Sequence, residues 1–196
     1  MASPRSSKLA FFKTFLANPT QIGAILPSGD ALAHSITAPI DYATAQVIVE
    51  FGPGTGSFTR VLLRNKRPET RLLALEVNET MADWIAESMP RVELVRDGAQ
   101  NLLKHLEERG IDKVDAVVSG LPFANFPPAL RDAILEGAAA ALKPGGLFLS
   151  FTYYHSSLIP ATHRFKRRLQ GLFASVEKIP VMKNAPPAYV LRCKAK

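Results

Sequence analysis

The chain has 196 residues, 47% of them apolar, enough to bury one good core but hardly two. A net charge of +7 favours an anionic partner, and nucleic acid and an acidic membrane surface fit that balance equally well. The lone cysteine, Cys193, excludes an internal disulfide, and no apolar run approaches the roughly 18 residues of a membrane-spanning helix.

In chain order, Ser3-Pro4 reads as a helix start, with serine as N-cap and proline at the first helical position. Met1–Ser7 lacks the apolar core of a secretory signal. The first helix is predicted to run to Asn18, because Pro19 disfavours helical geometry just before it. Phe11, Phe12, Phe15 and Leu16 gather on its apolar arc with Leu9; Lys13 stands opposite, and Lys8 can lay its stem along the apolar side. Ser28-Gly29-Asp30 opens a second helix to about Ser35.

From residue 46 strands alternate with helices. The predicted strands are Gln46–Phe51, Arg71–Val77, Arg91–Val95, Val114–Ser119 and Leu147–Thr152. The helices between them are Thr55–Arg67, Glu79–Met89, Gln100–Arg109 and Pro128–Leu142, the last ended by Gly145-Gly146. After a helix at His163–Leu172, strands at about Ser175–Val181 and Ala188–Lys194 form an antiparallel hairpin. The reading is one α/β domain, residues 43–196, with an open, mostly parallel sheet, preceded by an extension at residues 1–42. Such sheets bind ligands in a crevice at their carboxyl edge.

The most informative segment is Glu50-Phe51-Gly52-Pro53-Gly54-Thr55-Gly56, three alternate glycines at a strand-to-helix turn. A dinucleotide fingerprint has two residues before its third glycine; here only Thr55 intervenes, so the tighter loop suits a ligand without a pyrophosphate. Glu76 follows 24 positions after Gly52, where a carboxylate can accept hydrogen bonds from both hydroxyls of a ribose. Asp97, with Gly98 and Ala99 close by, is placed either to accept from an adenine amine or to cap the helix after it.

This pattern, together with the Leu142–Gly146 turn before the fifth strand, resembles the class I S-adenosylmethionine-dependent methyltransferases over residues 46–194. The resemblance implies a Rossmann-like seven-stranded sheet with helices on both faces and its last strand inserted antiparallel. It implies S-adenosylmethionine as cofactor and S-adenosylhomocysteine as product. Glu50, Gly52, Gly54 and Gly56 would surround the methionine part, with Glu76 on the ribose and Asp97, Gly98 and Ala99 near adenine; Phe51, Val77 and Ser119 complete the set.

The fourth strand ends in Ser119-Gly120-Leu121-Pro122-Phe123. Relatives that methylate adenine carry an Asn/Asp-Pro-Pro-aromatic motif there; Ser119 replaces its polar residue, and Phe123 keeps the aromatic. With Asn18–Ser28 and Pro186–Val190, this segment makes nearly the whole chain similar to bacterial phospholipid N-methyltransferases. That likeness implies methylation of phosphatidylethanolamine and its mono- and dimethyl forms toward phosphatidylcholine. It implies a cytoplasmic protein held peripherally at the inner face of the cell membrane, with a phospholipid substrate, an anionic membrane surface as partner, and neither nucleic acid nor metal.

The residues 1–42 then become a membrane-associating extension, with Phe11, Phe12, Phe15 and Leu16 among acyl chains and Lys8 and Lys13 at the headgroups. Lys166, Arg167 and Arg168 form a second cationic cluster. Phe123 and one of Tyr153 and Tyr154 are candidates for an aromatic wall that holds a progressively methylated nitrogen by cation–π attraction. The amine must lose a proton, to His155 or to the substrate's own phosphate. A ribosomal RNA adenine dimethyltransferase, and a non-catalytic binding protein on the same fold, are the rival readings.

Overall fold

A strand that is apolar on both faces must be covered on both, and Val47–Phe51 (β1) is buried at all five positions. The computed structural model describes residues 29–196. Its other strands are Arg71–Leu75 (β2), Glu93–Val95 (β3), Val114–Ser119 (β4), Leu142–Tyr153 (β5), Ser175–Val181 (β6) and Ala188–Lys194 (β7). They form one sheet in the order β3-β2-β1-β4-β5-β7-β6. β1 to β5 run parallel, and β7 lies antiparallel between β5 and β6. This is the Rossmann-like arrangement the sequence implied.

Six helices are described: Asp30–Thr37 (α1), Ser57–Asn65 (α2), Glu79–Ser88 (α3), Leu102–Glu107 (α4), Pro128–Ala141 (α5) and Pro160–Leu172 (α6). Alternation along β1 splits the core between two faces. Val47, Val49 and Phe51 join Leu73, Phe148, Phe165 and Tyr189 on one face. Ile48 joins Leu32, Ile36, Phe58, Leu62 and Val190 on the other, where α1 and α2 pack. Leu32, Ala33, Ile36 and Ile40, on the extension side of the expected boundary at residue 42, thus share a core with the sheet. The predicted N-terminal helix, with Lys8, Phe11, Phe12, Lys13, Phe15 and Leu16, lies outside the described residues, as does all of Asn18–Ser28.

Several element ends differ from expectation. α6 begins at Pro160, where the fixed φ of proline suits a first helical position, rather than at His163. α1 begins at Asp30 after Gly29, as expected, but runs on to Thr37 rather than ending near Ser35. β5 begins at Leu142, so Gly145-Gly146 does not end α5 but bulges a strand already under way. The bulge is held by Asp115, whose carboxylate takes the Lys143 ammonium at 2.8 Å and the Gln46 and Val47 amides at 2.7 and 2.8 Å. Among the described residues no helix is long and apolar enough to cross a membrane.

Candidate active site

The sheet order reverses between β1 and β4, which opens a crevice at their carboxyl ends. Phe51 pairs with Ser119 there, and the glycine loop leaves β1 directly above. Gly52, Gly54 and Gly56 have φ of +64°, +54° and +80°. Gly56 then caps α2, and its positive φ would strain any other residue, whose Cβ would also press on the Met89 and Ile85 side chains. A Cβ on Gly54 would meet nothing within 4 Å, so the space over the loop is open to a ligand.

Glu50 shares the Ile48 face and points toward α2. Its carboxyl is fully buried, and burial pushes its pKa up to about 8, helped by the nearby Glu76 charge; Thr59 and the Arg60 guanidinium pull it partly back. Thr59 lies beside it without meeting it at hydrogen-bond geometry: both Glu50 oxygens and the Thr59 hydroxyl are buried with no partner among the described residues. An orphaned buried carboxyl beside an open glycine loop suits a cationic ligand group.

Glu76, one residue past β2, is 5% exposed. Its oxygens accept the Gly54 amide at 3.2 Å and the Asn78 amide at 2.9 Å, which ties the glycine loop to the turn at Val77. Burial raises its pKa, while these amides and that of Val77 oppose the rise. Each oxygen keeps a lone pair for a hydroxyl donor. At Asp97, burial alone would raise the pKa, but hydrogen bonds from His105, Gly98 and Asn101 outweigh it and hold the carboxyl below the usual range. His105 Nε2 lies 2.8 Å from Oδ2, and the Gly98 amide and Asn101 Nδ2 reach Oδ1 at 2.7 and 2.9 Å. The short turn Ala99–Asn101 has no side-chain cap, so Asp97 is oriented by its neighbours rather than acting as a helix cap.

Ser119 is buried, and its hydroxyl accepts the Leu121 amide at 3.2 Å. Phe123 requires a correction. The turn Phe123–Asn125 rotates it inward, where it is 2% exposed and stacked on Phe165 at 4.9 Å, so it is core and not an open wall. The aromatic row facing the Glu50 side is instead Phe58, Phe151, Tyr153 and His155. Phe58 and Phe151 meet at 6.0 Å, Phe151 and Tyr153 at 5.4 Å, and Tyr153 stacks on His155 at 5.5 Å. Alternation decides between the two tyrosines: Tyr154 packs on Tyr189 on the opposite face. Lys166 stands over the Tyr189 ring at 4.9 Å. Arg168 is not a free cation, because its guanidinium pairs with Asp132 and Glu136 on α5.

Gly120, Phe58, Phe151 and His105 escaped the sequence reading. The Gly120 amide donates to Phe51 O at 2.9 Å, and a Cβ there would fall 2.9 Å from Gly52 O. Only the adjacency of β4 and β1 shows this need for glycine. Phe151 could have been found by following the two-residue period back from Tyr153 along β5, whereas Phe58 sits on α2 and is brought there only by the packing of that helix.

Comparison with known proteins agrees with this geometry. A family profile described as "Methyltransferase domain" matches residues 48–146, from β1 through the β5 bulge. The chain belongs to that family, the class I S-adenosylmethionine-dependent methyltransferases, and S-adenosylmethionine is its cofactor. Among particular proteins, it is 30% identical over 187 residues to the ornithine lipid N-methyltransferase of Singulisphaera acidiphila, covering 94% of each chain. In fold it is similar to the Burkholderia thailandensis 1,6-didemethyltoxoflavin-N1-methyltransferase with bound S-adenosylhomocysteine (TM-score 0.68, 17% identity, 100% of this chain and 92% of that one). A Bacillus cereus O-methyltransferase in complex with S-adenosylhomocysteine gives TM-score 0.64 at 16% identity, with the same coverage.

Proposed function

We propose that this protein methylates the headgroup amine of a membrane lipid, with phosphatidylethanolamine and its mono- and dimethyl forms as acceptors. The observation that carries the reading is the match to a lipid N-methyltransferase over 94% of both chains, which includes the substrate side of the fold as well as the cofactor loop. An ornithine lipid and phosphatidylethanolamine both present a primary amine on a diacyl anchor, so the two share the chemistry the site must serve.

When bound, the cofactor supplies an electrophilic methyl group on a sulfonium. The chain's own residues supply alignment, which is worth several kcal/mol in a two-reactant displacement. Glu50 offers a buried carboxyl to the cationic methionine end, Glu76 accepts from the ribose hydroxyls, and Asp97, fixed by His105, accepts from the adenine amine. The Gly52–Gly56 backbone gives the close approach. On the acceptor side, Tyr153 and Phe151 form the wall along which a lipid amine lies. A π-face holds a nitrogen with or without N–H donors, so the same wall serves successive methylations. In this reading the proton that the ammonium must lose passes to the imidazole of His155, which stacks on Tyr153, or to the lipid phosphate.

Incubation of the protein with methyl-labelled S-adenosylmethionine and either amine-lipid vesicles or ribosomal RNA tests this reading. Label in the organic phase is expected; label confined to RNA would instead support an adenine dimethyltransferase.

A further inference from the structure

Large apolar side chains in water are unfavourable unless something covers them. Of the six that stand exposed among the described residues, Tyr154, Leu158, Ile159 and Met182 gather at one place. The register puts them there. Tyr153 pairs with Ala188, and Ala188 pairs with Val181, so Tyr154 and Met182 each lie one residue beyond a common row. The short turn Tyr154–Leu158 is tied to that row, for the Tyr154 amide donates to Pro187 O at 3.0 Å and Ser157 Oγ to the Tyr189 hydroxyl at 3.2 Å. Leu158 is 86% exposed and Met182 65%.

Charge surrounds this patch with one sign. From Tyr153 to Pro187 the chain carries six Lys or Arg and a single acid, Glu177. Glu177 is taken by Arg192 at 3.3 Å, and Arg168 is paired within the fold. Arg164, Lys166, Arg167, Lys178 and Lys183 remain, with no ion pair among the described residues. Lys166 and Lys178 both stand over Tyr189, 4.9 and 5.8 Å from its ring centroid, which brings α6 and β6 cations to the patch. β5 and β6 run parallel to β1, so the patch occupies the same sheet edge as the glycine loop, next to the Tyr153 wall.

We infer that this edge is a membrane-docking surface: Leu158, Ile159 and Met182 enter the interface of an anionic bilayer while the five unpaired cations meet its headgroups. The inference rests on the proposed lipid acceptor. An apolar tip ringed by cations is complementary to an anionic lipid surface in both chemistries at once. Docking in this orientation sets the carboxyl edge of the sheet against the bilayer, so a lipid headgroup reaches the Tyr153 wall without leaving the interface.

The test is co-sedimentation of the full chain with vesicles of phosphatidylcholine alone, or of phosphatidylcholine with phosphatidylglycerol. Neither lipid has an amine to methylate, so docking is read apart from turnover. Wild type is expected to sediment with the anionic vesicles only. Leu158→Glu/Met182→Glu is expected to lose about tenfold or more in vesicle partition, with unchanged calorimetric affinity for S-adenosylhomocysteine and an unchanged melting midpoint. Arg167→Gln/Lys183→Gln should weaken binding most at low ionic strength and progressively less as salt screens the cations that wild type retains. Wild-type partition by the glutamate variant would overturn the inference. So would a lowered melting midpoint with intact sedimentation, because the patch would then be covered by the chain itself. Wild type that docks but methylates no lipid would refute the proposed function and leave the docking surface standing.

Discussion

Glu50→Gln separates the burial of this side chain from the burial of its charge. The wild-type carboxyl titrates at about 8 in the fold against an ordinary value of 4.5, so at neutral pH folding of the ligand-free protein takes up a proton. The sign follows from linkage: an acid whose folded pKa is raised leaves stability intact below the unfolded value. Stability then falls as pH rises from about 4.5 and levels off above about 8. At about 1.4 kcal/mol per unit, the interval is worth on the order of 5 kcal/mol. Glutamine has the same shape and nothing to ionise. The variant is therefore expected to match wild type near pH 4.5 and to exceed it by on the order of 5 kcal/mol above pH 8. Glu76 shifts in the same direction, and its own burial is common to both proteins, so only its charge coupling to Glu50 enters the difference. Urea unfolding of the ligand-free protein across this range gives the two profiles. Parallel profiles would refute the reasoning and mean that water or a cation reaches the carboxyl.

Glu76→Ala removes an acceptor that also ties down Gly54; S-adenosylhomocysteine affinity should fall about 10- to 100-fold by calorimetry, as loss of charged hydrogen bonds does. Gly120→Ala pushes a Cβ to 2.9 Å from Gly52 O, and the resulting overpacking should cost about 1–3 kcal/mol in urea unfolding, together with a loss of cofactor affinity. Tyr153→Phe keeps the π-face and should retain the full series of methylated products. Tyr153→Ala should stall that series at its first product, as read by lipid mass spectrometry.

Much of this fold was legible because short apolar runs such as β1 and β4, rich in Val and Ile, alternate with helix-length segments. β4, β6 and β7 fall residue for residue where the pattern places them. β5 was misread at its start because Pro144-Gly145-Gly146 carries the signal of a turn. Only the distant ion pair of Lys143 with Asp115 shows that the backbone stays in the sheet. The positions of the acids were legible, with Glu50 near the end of β1, Glu76 one residue past β2 and Asp97 two past β3, all at the same edge. Their surroundings were not. The orphaned state of Glu50 depends on α2 folding over it, and the hold on Asp97 comes from His105, eight residues away on α4. Phe123 shows the same limit from the other side. An aromatic after a strand end can face the crevice or the core, and the three-residue turn that decides between them leaves no pattern in the sequence.

The central claim is that the chain moves a methyl group from S-adenosylmethionine to a lipid nitrogen. Fragment mass spectrometry of vesicle lipids after incubation with protein and cofactor tests it most directly. The account predicts headgroup fragments carrying one, then more, methyl groups on the amine of phosphatidylethanolamine or an ornithine lipid, with none on the acyl chains. Unmodified headgroups, under conditions where S-adenosylhomocysteine binds the protein, would contradict it.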